Sequence, residues 1–228
     1  LTAALKKTGE TRTCVILVAT SGDTGKAALS GFSDVPGTRV CVFYPHGAVS
    51  DIQRLQMTTQ AGDNVQVQAT EGNFDDAQRQ VKAMFGSGEL AQRLNGIWPG
   101  FVLSSANSIN WGRLAPQVAY YFSAYCDMAS AGAIAWGDRV NIAVPTGNFG
   151  NILAAWLAKE SGLPVGRLIC ASNRNRVLYD FFTTGEYNAR RVFHVTQSPS
   201  MDILVSSNLE RLLYLASGRD AGLVSGLM

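Results

Sequence analysis

The chain has 228 residues, of which 46% are hydrophobic and 16% are charged, and its formal net charge at pH 7 is +2. A chain of this size and composition can bury one large core or two smaller ones. Because its lysines and arginines are scattered, the sequence excludes a basic surface for nucleic acid and predicts no polyanion partner.

The four cysteines occur singly, without a CxxC pair, and only His46 and His194 could join them as metal ligands. This pattern indicates free thiols in a reducing compartment and predicts no metal site. The sequence contains no signal peptide and no apolar run of about 18 residues, so no membrane association is expected. We therefore expect a cytoplasmic protein, although a targeting segment could have preceded Leu1.

Strand-like runs in the first half of the chain alternate with helical patterns. The runs cover residues 13–19, 39–44, 65–69 and 101–104. A helical stripe between the last two runs includes Phe74, Ala77 and Val81. This alternation predicts a parallel βαβ sheet. The run at 65–69 alternates valine and glutamine, which predicts an edge or half-exposed strand.

Directly after the first run, residues 20–25 read TSGDTG, and a helical pattern follows at once. We call this segment the TSGDTG turn. Its hydroxyl and carboxylate side chains can cap a helix, and a carboxylate ligand could join them at the helix start. A plain capped helix explains the same residues equally well.

Polar residues also follow the run at 101–104. Asn107, Ser108 and Asn110 lie at the predicted carboxyl end of that strand, where open α/β sheets bind ligands. We favour substrate contact for them over turn and capping chemistry. Arg113, at the start of the next helix, is a weaker candidate.

A second βα series begins after Asn110. Its first helix has an apolar stripe, which we assign to a hydrophobic core. The stripe consists of Leu114, Val118, Tyr121, Phe122 and Tyr125. Strands are predicted at residues 140–144 and 167–170. We predict a smaller domain at residues 12–112, part of a larger domain at 113–228, and the tail of a preceding helix at 1–11.

Residues 145–151 read PTGNFGN and stand between the run at 140–144 and a helical pattern at 152–159. We call them the PTGNFGN loop. Two glycines and an asparagine allow a tight turn that directs backbone N–H groups at one point, and the following helix adds the positive end of its dipole. A phosphate fits such a site, although an ordinary βα loop can have the same composition.

Two familiar nucleotide-binding motifs are excluded. A P-loop would need a glycine where Thr20 stands and a hydroxyl residue where Ala27 stands. The dinucleotide fingerprint needs three glycines spaced as GxGxxG, and neither glycine turn has the first close pair.

Five sequence blocks, in order along the chain, carry a resemblance to a known family. They are ATSGDTG at 19–25, SANSINWGRL at 105–114, PTGNFGN at 145–151, GLPV at 162–165 and SPSMDILVSSNLERLL at 198–213. On these blocks the chain resembles threonine synthase, a pyridoxal-phosphate enzyme of the tryptophan-synthase-β fold type, also called fold type II.

The resemblance implies an α/β fold with two open, twisted parallel-sheet domains, of which the larger is incomplete here. It also implies conversion of O-phospho-L-homoserine and water to L-threonine and phosphate, with pyridoxal 5'-phosphate as cofactor. The implied cofactor-binding residues are Gly147, Asn148, Phe149, Gly150, Asn151 and Asp23. The implied substrate-binding residues are Thr20, Ser21, Gly22, Thr24, Asn107, Ser108 and Asn110. We expect a monomer or homodimer.

The chain departs from the family in lacking the lysine that binds the cofactor covalently. In the family that lysine lies upstream of the TSGDTG strand, and we expect Lys6 and Lys7 to be structural residues at a helix end. The family's C-terminal partner of the pyridine nitrogen is also missing, so we nominate no catalytic residue and expect an inactive fragment. Two alternatives remain: another β- or γ-eliminating pyridoxal-phosphate lyase, and a non-catalytic, degenerate homologue.

Overall fold

The structure, a computed structural model, describes residues 2–20, 22–108 and 110–227. The chain divides into two compact units, Leu1–Asn107 and Ser108–Met228. The sequence predicts a division between residues 112 and 113, and the functions assigned to the two domains stay predictions. Ser21, one of the predicted substrate-binding residues, lies outside the described residues.

The first unit contains a parallel sheet of four strands. They are β1 (Cys14–Ala19), β2 (Thr38–Pro45), β3 (Val65–Thr70) and β4 (Val102–Ser105), in the spatial order β3-β2-β1-β4. The helices are α1 (Thr2–Thr8), α2 (Asp23–Phe32), α3 (Asp51–Thr58), α4 (Phe74–Gly86) and α5 (Gly88–Ile97). The strand order reverses between β1 and β4. This reversal brings the carboxyl ends of these two strands together at a topological switch point.

Burial explains why these strands form. β1 is buried along its whole length because it lies in the middle of the sheet. Its residues Ile16 and Val18 pack with Leu29 of α2 and Met57 of α3 in one core cluster. At the other extreme, β3 forms an edge of the sheet and exposes its two glutamines, which confirms the prediction made from its alternating pattern.

The second unit contains a parallel pair of strands, β5 (Val140–Pro145) and β6 (Val165–Ala171). Its α-helices are α6 (Trp111–Ser130), α7 (Gly150–Glu160), α8 (Val177–Thr184), α9 (Leu209–Ala216) and α10 (Ala221–Leu227). A short 3-10 helix covers Pro199–Met201.

The core of the second unit is built around α7. Leu153 of this helix packs with Leu114 of α6, Leu178 of α8 and Leu209 of α9, and all four are almost fully buried. The predicted apolar stripe of α6 contributes to this core and to a neighbouring cluster around Tyr125. The predicted α/β class with parallel sheets is confirmed. None of the helices in the described ranges has both the length and the apolarity needed to cross a membrane.

Candidate functional site

The PTGNFGN loop presents a row of backbone donors at the start of α7. Phe149 directly precedes the helix with a left-handed φ of 63°, and Gly150 is the first helical residue. Within the described part of the chain, the backbone N–H groups of residues 147–151 donate to no protein acceptor. Because a helix N-terminus carries partial positive charge, such a row of free donors favours an anion.

The carbonyl groups of the same loop are bound on the opposite side. The Ser206 hydroxyl donates to the Gly147 carbonyl at 2.7 Å, and the backbone and side-chain N–H groups of Asn208 both donate to the Asn148 carbonyl at 3.0 Å. Ser206 and Asn208 are buried. In a trans peptide the C=O and N–H point in opposite directions. These contacts therefore turn the N–H groups of Asn148 and Phe149 away from Ser206 and Asn208.

The side chain of Asn151 holds the loop closed. Its oxygen accepts from the Thr146 hydroxyl at 2.8 Å and from the backbone N–H of Ile152 at 2.9 Å, while its nitrogen donates to the Pro145 carbonyl at 2.8 Å. The Tyr121 hydroxyl adds a hydrogen bond to the Asn151 carbonyl at 2.8 Å. The donors of Asn151 that remain for the predicted cofactor contact are its backbone N–H and the second hydrogen of its side-chain amide.

Of the two glycines of the loop, Gly147 is the more sterically constrained. A Cβ on Gly147 would lie 2.7 Å from Cγ1 of Ile203, and one on Gly150 would lie 3.4 Å from Nδ2 of Asn208. The ring of Phe149 is buried against Phe182, with ring centroids 5.9 Å apart. Phe149 thus anchors the loop through its ring and offers its backbone to a ligand. Free donors, fixed carbonyls and close-packed glycines together fit a phosphate group.

In the first unit, Thr20 organises the TSGDTG turn. Its hydroxyl oxygen accepts from the backbone N–H groups of Gly22 and Gly25, both at 2.9 Å, and donates to the Gly22 carbonyl at 3.1 Å. Thr20 is buried, and Gly22 has a φ of 144° that favours glycine. The Thr20 side chain therefore shapes the turn, and its predicted contact with substrate stays a prediction.

Asp23 and Thr24 form the first turn of α2. The N-cap of this helix is Gly22, which has no side chain, so neither Asp23 nor Thr24 is the N-cap residue. A threonine of the turn still caps the helix start, because the Thr20 hydroxyl accepts from the backbone N–H of Gly25. The Asp23 carboxylate is exposed and accepts from the Gln53 amide at 2.7 Å.

Asn107 ties the ends of β1 and β4 together at the switch point. Its amide accepts from the backbone N–H of Ala19 at 3.0 Å and donates to the Ala19 carbonyl at 2.6 Å. Its own backbone N–H donates to the Ser105 hydroxyl at 3.1 Å. Since Asn107 is buried and its amide is bound in this way, its first role is to hold the two strand ends in place.

Ser108 and Asn110 lead into α6 in the second unit. Asn110 is the N-cap of α6, and its side-chain oxygen accepts from the backbone N–H of Gly112 at 2.8 Å. Ser108 is half-buried, and its Cβ lies 3.4 Å from the position that a Cβ on Gly150 would take. The structure therefore places Ser108 beside the PTGNFGN loop.

A buried carboxylate supports the segment that follows β6. Asp202 accepts hydrogen bonds from the amides of Asn173 and Asn175 at 2.7 and 3.0 Å, and from the hydroxyl and backbone N–H of Thr196, both at 2.8 Å. The carboxylate of Asp202 is buried in this network, next in the chain to Ile203, whose side chain lies against Gly147.

Four residues that contact one of the two turns were not nominated from the sequence: Gln53 at the TSGDTG turn, and Ile203, Ser206 and Asn208 at the PTGNFGN loop. The last three fall inside the SPSMDILVSSNLERLL block, so the block itself was the available signal. For Gln53, the sequence offers only its position three residues after Ser50, which is typical of a capping box and does not indicate a contact with the TSGDTG turn.

The comparisons with known proteins agree with this geometry. A family model described as pyridoxal-phosphate dependent enzyme matches residues 1–225. The chain is 49% identical over 219 residues to threonine synthase-like 1 of Macaca fascicularis, covering 93% of this chain and 29% of that protein. It is 44% identical over 224 residues to threonine synthase of Pseudomonas aeruginosa, covering 98% of this chain and 45% of that enzyme.

Among solved structures, the crystal structure of PLP-bound threonine synthase from Brucella melitensis matches with a TM-score of 0.80 and 44% identity, over 98% of this chain and 45% of that one. The resemblance to threonine synthase and the fold-type II assignment are confirmed. The chain spans less than half the length of these relatives.

Proposed function

The chain belongs to the family of pyridoxal-phosphate-dependent enzymes, and on that premise we propose that it is part of a threonine synthase. The whole enzyme would convert O-phospho-L-homoserine and water to L-threonine and phosphate. One observation carries the proposal. The free backbone N–H groups of residues 147–151, with the adjoining carbonyls held by Ser206 and Asn208, suit the phosphate of pyridoxal phosphate.

Each unit has its own part in this proposal. In the second unit, backbone N–H groups of Gly147 to Asn151 hold the cofactor phosphate. In the first unit, the TSGDTG turn binds the substrate carboxylate at the start of α2, and Asp23 contributes to cofactor binding. Asn107, Ser108 and Asn110 contact the substrate. When bound, the cofactor supplies an electron sink for the negative charge that develops on the substrate carbon.

A second candidate is a related protein that keeps the phosphate site and has another reaction or none. The observation in its favour is the 49% identity to a protein named threonine synthase-like 1. Such a protein would bind pyridoxal phosphate through the PTGNFGN loop and would leave O-phospho-L-homoserine unchanged.

The test measures phosphate release from O-phospho-L-homoserine and pyridoxal-phosphate affinity in the full-length protein that contains this chain. Gly147→Val should weaken cofactor binding by at least about tenfold, because the new side chain collides with Ile203 and displaces the loop. The matched control is Gly96→Val, since a Cβ on Gly96 meets no atom within 4 Å.

Phosphate release by the wild-type protein, lost in Gly147→Val and kept in Gly96→Val, supports a threonine synthase. If the wild-type protein binds the cofactor but releases no phosphate, the second candidate function replaces threonine synthase. Equal cofactor affinity in all three proteins would show that the PTGNFGN loop is not the phosphate site.

A further inference from the structure

We propose that Gln53 on α3 is a positioning residue for the TSGDTG turn, an assignment that rests on the proposed function of that turn in binding substrate. Gln53 reaches the turn from a different helix. Its amide nitrogen donates to the Asp23 carboxylate at 2.7 Å. A Cβ placed on Gly22 would collide with the same amide group, so the Gln53 side chain lies directly against the Gly22 backbone.

The amide of Gln53 is held in one orientation. Its oxygen accepts from the Ser50 hydroxyl at 3.0 Å and from the Ser50 backbone N–H at 3.4 Å, as part of the capping box of α3. A flipped amide would set its NH2 group against the Ser50 N–H and its oxygen against the acceptor-only Asp23 carboxylate. The nitrogen of Gln53 is therefore directed at Asp23 by the capping box.

The next turn of α3 contacts the other end of the same segment. Met57, four residues after Gln53, is fully buried, and its sulfur lies 2.6 Å from the position that a Cβ on Gly25 would take. Residues four apart share one face of a helix. One face of α3 thus packs against Gly22 through Gln53 and against Gly25 through Met57.

This arrangement gives Gln53 a defined effect on ligand binding. In the proposed function the start of α2 binds the substrate carboxylate, and the position of this helix start depends on contacts with Gln53 and Met57. Loss of the Gln53 donor should loosen Asp23 and Gly22 while leaving the PTGNFGN loop unchanged. The expected signature is a higher KM for the substrate with little change in kcat or in cofactor affinity.

The sharpest variant is Gln53→Glu in the full-length protein, because glutamate keeps the capping-box oxygen and replaces the donor with an acceptor facing Asp23. We expect KM for O-phospho-L-homoserine to rise about tenfold and kcat to change less than about threefold. Amide hydrogen exchange at Gly25, whose N–H is held by Thr20 and Gly22, should become faster. The control is Gln56→Glu, an exposed position on the same helix with the same charge change.

The double variant Asp23→Asn with Gln53→Glu restores a donor and an acceptor in exchanged places and should slow exchange at Gly25 again. Where Gln53→Glu does not fold, Gln53→Met removes the donor without adding charge and gives the same readouts. Gln53 variants that behave like Gln56→Glu in both KM and exchange overturn the assignment. If the wild-type protein releases no phosphate, the proposed function fails, and exchange at Gly25 alone decides the role of Gln53.

Discussion

The four cysteines differ in exposure, and burial shifts the pKa of three of them. Cys14 is buried, Cys41 and Cys170 are half-buried, and Cys126 is exposed on α6. Burial raises the pKa of the Cys41 thiol to about 11 and raises the pKa of Cys14 and Cys170 as well. Since the thiolate is the reactive form, burial makes three of the four thiols poor nucleophiles at neutral pH.

We expect iodoacetamide to modify Cys126 first at pH 8 in the folded protein. At that pH a thiol of pKa about 11 is only about 0.1% thiolate. Raising the pH toward 11 should speed modification of Cys41 as its thiolate fraction grows, provided that the fold persists. Peptide mass spectrometry over time gives the order, and Cys126→Ser should remove the fast phase. Modification of Cys41 ahead of Cys126 at pH 8 would contradict this expectation.

Single residues also show where sequence reasoning reaches its limit. The resemblance implies substrate contact for Thr20 and Asn107, and Asn107 also follows a predicted strand. Both turn out to bind backbone groups: Thr20 those of Gly22 and Gly25, and Asn107 those of Ala19, 88 residues away in the chain. A polar residue at the carboxyl end of a strand can serve a ligand or the neighbouring backbone, and composition does not distinguish the two.

At the scale of elements, the segment just before α9 orients the PTGNFGN loop, and this can be tested through Asn208. Asn208→Asp replaces the amide that donates to the Asn148 carbonyl with a carboxylate that repels it. In the full-length protein, we expect pyridoxal phosphate to dissociate at least about tenfold more readily, since a disrupted buried hydrogen bond costs about 1–3 kcal/mol. Equilibrium titration measures the change.

Asn188→Asp is the control for Asn208→Asp. Asn188 is exposed and uses its side-chain oxygen to accept from the Arg190 backbone N–H, a role that aspartate keeps. Cofactor affinity should therefore stay at the wild-type level in this variant. An Asn208→Asp protein with unchanged affinity would show that the orientation of the Asn148 peptide does not govern binding.

The strands were predictable because five of them are short, mainly apolar runs and β3 alternates valine with glutamine. The structure places all six predicted strands within two residues of the predicted bounds. The helix after the PTGNFGN loop begins two residues earlier than predicted, at Gly150, because Phe149 adopts a left-handed φ that turns the chain directly into α7. The contacts of Ser206 and Asn208 with the loop could not be predicted from local patterns. They join segments about 60 residues apart, as the hydrogen bond from Asn208 to Asn148 illustrates.

At the scale of the whole molecule, the two compact units contain two different kinds of helix start. In the first unit, the backbone N–H groups of Gly22 and Gly25 in the TSGDTG turn donate to the Thr20 hydroxyl. In the second unit, the N–H groups of residues 147–151 donate to no acceptor in the described residues. An inorganic phosphate ion should therefore prefer the second unit.

Hydrogen exchange of the full-length protein with and without inorganic phosphate tests this preference. Phosphate at about ten times its dissociation constant stabilises the binding region by about 1.4 kcal/mol, which slows exchange roughly tenfold where local opening releases the ion. We expect this protection at residues 147–153 and 206–209, and not in β2 or β3. Gly147→Val should abolish it, whereas Gly96→Val should retain it. Protection confined to residues 22–26 would instead place the anion site at the start of α2 and would assign the phosphate to the TSGDTG turn.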